Sequence, residues 1–86
     1  MTGLTMTSES LSVERPKAGD LYTHFKGKRY RVIGVGRHSE TLEEMVFYEA
    51  LYDNPKGKLW ARPLNLFSET VPGLDGKMVR RFSPNG

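Results

Sequence analysis

Turn chemistry interrupts this chain so often that nothing long and regular fits between the interruptions. Lys26-Gly27-Lys28, the polar run 36–44, the run Asp53-Asn54-Pro55-Lys56-Gly57-Lys58 and the loop 72–76 (PGLDG) carry the Gly, Pro, Asn and Asp residues that reverse a backbone. The segments left between them are short and rich in β-branched and aromatic residues, the pattern of strands rather than helices.

Residues 20–25 (DLYTHF) alternate Leu21, Thr23 and Phe25 against Tyr22 and His24 and read as a first strand. Residues 29–37 (RYRVIGVGR) are the clearest strand: strict alternation places Tyr30, Val32, Gly34 and Gly36 on one face, and Ile33 and Val35 on the other. Its glycines permit a bulge or a sharp bend. Residues 42–53 carry two competing signals. Thr41-x-x-Glu44 matches a capping box and would open a helix. Met45, Phe47 and Leu51 against Val46, Tyr48, Ala50 and Tyr52 alternate as a strand. The strand is preferred, because a helix would set Glu49 beside Met45 and Val46 and break the apolar stripe. Residues 59–62 give a further strand, halted by Pro63. Residues 63–71 predict a single helical turn with Pro63 at its first position and Leu64 and Phe67 on one side. Residues 77–82 close the fold as a strand.

Five short strands and one helical turn predict an all-β fold, a small strongly bent sheet of the SH3-like barrel type. Closure would remove the exposed edges of so short a sheet. The 86 residues suffice for one small domain, which buries only about 60% of its unfolded surface. Its limits are read as 18–83, preceded by a flexible tail over 1–17, rich in Ser, Thr and Glu, and followed by a frayed end at 84–86. Phe25, Phe47, Trp60 and Phe67 are the aromatics assigned to the core.

The chain has no cysteine, which removes disulfide staples and thiolate metal sites. It has no apolar run near the roughly 20 residues needed to cross a bilayer, and its first residues lack the pattern of a signal peptide. A cytoplasmic protein, monomeric or weakly dimeric and without cofactor, is the expectation. Thirteen basic against ten acidic residues give a net charge of +3, mildly basic and compatible with a polyanionic partner without requiring one.

The densest polar stretch is Arg37-His38-Ser39-Glu40-Thr41. Catalysis there would need His38 to act as base and Ser39 as nucleophile, yet groups from one turn rarely make a whole site. A recognition loop and a plain turn, with Ser39 and Thr41 bonded to their own backbone, are the other readings. Arg37 and Arg62 stand at strand ends, where a guanidinium clamps a carboxylate or phosphate. With Tyr22 and His24 these residues complete a candidate binding surface: Tyr22, His24, Arg37, His38, Ser39, Glu40, Thr41 and Arg62. A zinc or iron site from His24, His38 and a glutamate lacks any fixed ligand spacing, so no metal ligands are assigned. Lys26, Lys28, Arg29 and Arg31, with Lys77, Arg80 and Arg81, form two basic groups that would merge if the first and last strands were neighbours. Tyr22, Tyr30, Tyr48, Trp60 and Phe82 would then offer stacking surfaces for nucleic acid.

The segments GDLYTHFKGKRYRV, GRHSETLEEMVFYEALY, LWARPLNLF and RRF together resemble a small family of bacterial proteins known only as a domain of unknown function. The resemblance spans residues 19–82 and rests on the combination Tyr-x-His-Phe-Lys-Gly, Arg-His-Ser-Glu-Thr and Trp-x-Arg-Pro; an alanine often stands in that pattern where this chain has Gly36. It implies a β-rich, SH3-like domain and no known activity. The functional expectation is a non-enzymatic module that binds a peptide, a protein or a nucleotide-type ligand through the Arg37–Thr41 loop. Nucleic-acid binding through the basic strands, and a small hydrolase or metal enzyme using His24 and His38, are the alternatives.

Overall fold

The antiparallel meander expected from the turn spacing is present in the computed structural model, which describes residues 15–85. Its elements are β1 (Leu21–His24), β2 (Arg29–Arg37), β3 (Glu44–Ala50), β4 (Leu59–Pro63), a helical turn α1 (Leu64–Phe67), β5 (Thr70–Pro72), β6 (Met78–Arg80) and β7 (Phe82–Pro84). The main sheet has the order β4-β3-β2-β1-β7, and β5 pairs with β6 in a separate ribbon. The tail expected over residues 1–17 falls mostly outside the described residues. Of its last three positions, Pro16 is buried and Arg15 holds Glu44 at the start of β3 in a two-pronged ion pair of 2.6 and 2.7 Å.

The segment with two signals is a strand. Thr41 Oγ1 accepts the Glu43 N–H, a turn bond two residues on rather than the helix cap three residues on. The chain then runs straight into β3. Six of its seven positions alternate inward and outward across the ladder, and Val46, Tyr48 and Ala50 are buried.

Strict alternation in β2 is corrected by a bulge. Val32 faces Tyr48 and Gly34 faces Phe47, so Ile33 is one residue too many for the ladder. The bulge turns Ile33 outward, 47% exposed, and brings Val35 to the core with Tyr30 and Val32. Gly34 and Gly36 now lie on the outer face. There the Phe47 ring lies across Gly36, 3.1 Å from where a Cβ would sit.

The same register decides which aromatics make the core. Tyr22, Tyr48, Phe67 and Phe82 are buried together with Val32, Val46 and Leu64. Phe67 stacks on Phe82 with ring centres 4.3 Å apart, and Tyr22 meets Phe67 edge-on at 5.1 Å. Phe47, expected inside, is on the outer face and 36% exposed. Phe25 and Trp60 are half-buried.

The fold is all-β and strongly bent, but the sheet does not close. β4 and β7 are its two edges. The space between them is filled by the side chains of α1, chiefly Phe67 against Phe82, rather than by a backbone ladder. The edges are protected in another way: each is short and ends in a proline, Pro63 or Pro84, which cannot donate to an added strand.

The expected last strand, 77–82, is two strands with a corner at Arg81. Its N–H donates to Glu69 O, and its carbonyl accepts the Phe25 N–H. The chain thereby leaves the ribbon and joins the main sheet beside β1.

Candidate functional site

The eight candidate binding residues separate into three places. Tyr22 is 5% exposed and packs in the core against Phe67. Arg37, His38, Ser39, Glu40 and Thr41 form the tip of the β2–β3 hairpin. His24 and Arg62 meet elsewhere, against Phe82.

The hairpin tip is built almost entirely from bonds to itself. His38 N–H donates to Glu43 O at 2.8 Å, and Leu42 N–H donates to His38 O at 2.9 Å. The His38 ring adds a second layer, because its Nδ1 accepts from the N–H groups of Glu40 and Thr41 at 3.2 and 3.3 Å. Arg37 reaches over the loop and donates from Nη1 to Leu42 O at 2.9 Å. His38 Nδ1 is therefore engaged by the turn's own backbone, and Arg37 points at the turn rather than outward. The Ser39 and Glu40 side chains remain exposed, with no bonding partner among the described residues.

Leu42 closes the turn with φ +64°, the left-handed conformation, and is 64% exposed. Gly or Asn fills such a position at less steric cost. The sequence signal for it was absent, since nothing in Thr41-Leu42-Glu43 marks a positive φ.

His24 and Arg62 come together because β7 returns to pair with β1, which sets Phe82 beside His24, and because the sheet bends until β4 reaches the same ring. The His24 ring meets Phe82 edge-on at 5.0 Å and Phe25 at 4.7 Å. The Arg62 guanidinium lies over Phe82 at 5.7 Å. Its Nε donates to the Tyr48 hydroxyl at 3.4 Å. The imidazole pKa is held below its usual value, first by burial and then by the positive charges of Arg81, Arg62 and Lys26. Beside Arg62 the Tyr30 hydroxyl bonds to that of Tyr52; burial, then this bond, push the Tyr30 phenol far above its ordinary range. A shallow depression of about 300 Å³ is lined by His24 together with Thr23, Phe25, Arg80 and Ser83.

The two basic groups are only partly merged. Phe25 bonds to Arg81, which brings the β1–β2 turn with Lys26 to Arg80 and Arg81. Arg31 is paired with Glu49 and Arg81 with Glu69. Lys26 and Lys28 lie over the rings of Phe25 and Tyr52, and Arg29 faces Thr23 across the β1–β2 ladder. Lys77 is at the far turn of the ribbon, where its backbone N–H donates to the Asp75 carboxylate. Of the proposed stacking residues, Tyr22, Tyr48 and Phe82 are in the core. Among the described residues no group of three or more His, Cys, Asp or Glu is placed to hold a metal ion. No helix among them is long and apolar enough to cross a membrane.

No curated protein sequence matches the chain. The crystal structure of a DUF1653 protein from Bordetella bronchiseptica is similar, with 33% sequence identity and a TM-score of 0.74 over 87% of this chain and 91% of that one. The family profile described as "protein of unknown function (DUF1653)" matches residues 20–84, from the residue before β1 to the end of β7. The chain therefore belongs to the DUF1653 family.

Proposed function

We propose that the protein is a non-enzymatic binding module that presents the tip of the β2–β3 hairpin to a partner protein. The observation that carries this reading is Leu42. A leucine in the left-handed region costs roughly 1 kcal/mol relative to glycine, and this one buries little in return. An apolar side chain held at such cost on a self-bonded turn is suited to anchor in a partner's pocket, with Ser39 and Glu40 beside it as polar contacts. The loop is already ordered by Arg37 and His38, so a partner need not supply its ordering entropy.

The experiment is a selection from a random-peptide display library on the full chain, followed by affinity measurement on Leu42→Gly. Glycine suits φ +64°, so this variant keeps the turn and removes only the side chain. Selected peptides with an apolar anchor, weakened about tenfold or more by Leu42→Gly, support the reading. Peptides that bind both proteins alike overturn it. For nucleic acid through Lys26, Lys28 and Arg29 the alternative signature is affinity that falls steeply with salt and ignores Leu42.

A further inference from the structure

Arg62 is the least compensated charge near the core. It extends from β4 opposite the fully buried Val46 and is itself half-buried. Glu69 is already engaged by Arg81, and Glu49, on the outer face of β3, is held by Arg31 and Lys58. Among the described residues Arg62 has no ion-pair partner, and its one hydrogen bond goes to a neutral hydroxyl. A guanidinium withdrawn from water without a counter-ion is costly unless an anion completes it.

The groups around it are donors. Tyr48 Oη accepts from Arg62, which leaves its proton to give. His24 Nδ1 accepts the Lys26 N–H at 3.2 Å, so the neutral ring carries its proton on Nε2. Lys26 and Arg81 add positive charge on the His24 side. These donors come from β4, β3 and β1, three directions around the Phe82 ring. A carboxylate is planar and is satisfied by the Arg fork alone, whereas a tetrahedral phosphate offers oxygens to several directions at once.

We propose that the seam between β4 and β7 is a phosphate-binding site, with Arg62 as the clamp and His24 and Tyr48 as further donors. It is separate from the hairpin tip and does not depend on the partner reading given above.

The test is an NMR titration of the full chain with inorganic phosphate, with sodium acetate and sodium chloride at matched ionic strength as separate arms. Saturable shifts at the His24 ring and the Arg62 Nε–H, with a rise in the His24 pKa when phosphate is bound, support the site. Arg37→Met, at the hairpin tip, is expected to leave them in place. Arg62→Met is expected to abolish them. Should that variant fold poorly, Arg62→Lys keeps the charge but not the fork, and a weakening of about tenfold is expected. Unchanged affinity in Arg62→Lys overturns the clamp. Equal shifts with chloride reduce the effect to screening and overturn the site, and saturation by acetate without phosphate overturns the ligand class.

Discussion

The hairpin tip and the seam between the edge strands are opposites in how they are encoded. The tip is contiguous in sequence, Arg37 to Glu43, and spends most of its polar groups on its own backbone. The seam draws His24, Tyr48, Arg62 and Phe82 from four strands, and its guanidinium meets no carboxylate among the described residues. Polar density along a chain thus measures how well a turn is tied, while unsatisfied charge where strands converge measures what a surface still has to bind.

The largest expected separation of the two regions is in stability. Phe82 is 1% exposed and touches Phe67, Tyr48, Tyr30 and His24. Phe82→Ala is expected to cost about 3–5 kcal/mol, whereas Ser39→Ala at the tip should stay within about 0.5 kcal/mol. Urea denaturation measures both. A Phe82→Ala loss below about 1 kcal/mol would mean that the seam has no core beneath it.

Next in size is a gain. Leu42→Gly removes the steric penalty of the left-handed turn, less the extra entropy glycine adds to the unfolded chain. The net expectation is a rise of a few tenths to about 1 kcal/mol in unfolding free energy. A variant that is more stable yet binds less is what a residue kept for recognition should give. A loss of stability would place Leu42 in the packing of the hairpin instead.

The two arginines sharpen the comparison further. Arg37→Met breaks the bond to Leu42 O, at a cost of about 0.5–1 kcal/mol for an exposed contact. Arg62→Met removes an unpaired charge while keeping a flexible apolar stem over Phe82. Its change is expected within about 0.5 kcal/mol of zero, of either sign. If Arg62→Met is the more damaging of the pair, the bond to Tyr48 holds the seam closed and the site is structural.

What could be read from the residues follows the same division. The strand at 44–50 was legible from alternation, and alternation prevailed over the Thr41-x-x-Glu44 signal because Val46, Tyr48 and Ala50 had a core to face. The bulge at Ile33 was not placed. Glycines at 34 and 36 allow one, but its position is set by which residue of β3 each must oppose, a long-range fact. That one-residue shift also decides the fate of Phe47, whose hydrophobicity alone pointed inward. Tyr22 and Tyr48 are core residues with a polar tip, indistinguishable in sequence from exposed stacking residues. His24 and Arg62 were both recognisable as candidates, but their meeting at Phe82 depends on β7 pairing with β1 and on how far the open sheet bends. The corner at Arg81, where one apparent strand serves two sheets, has no local signature at all.

The smallest effect is a pH dependence at the seam. The folded-state pKa of His24 lies below the ordinary histidine value near 6.5, first through burial and then through Arg81, Arg62 and Lys26, with Glu69 engaged by Arg81. The unfolded chain therefore takes up a proton at this position before the folded chain does. Between the two values the unfolded state holds more protons, so stability rises with pH. The contribution is fully present above the unfolded pKa and is lost as pH falls through it toward the folded value. His24→Gln is expected to flatten this part of the curve as pH falls below the ordinary histidine value, read from urea midpoints at fixed ionic strength. Arg62→Met should flatten it only in part, because burial, the larger cause, stays in place. A curve unchanged by His24→Gln would remove His24 from the positive environment that singles out the seam.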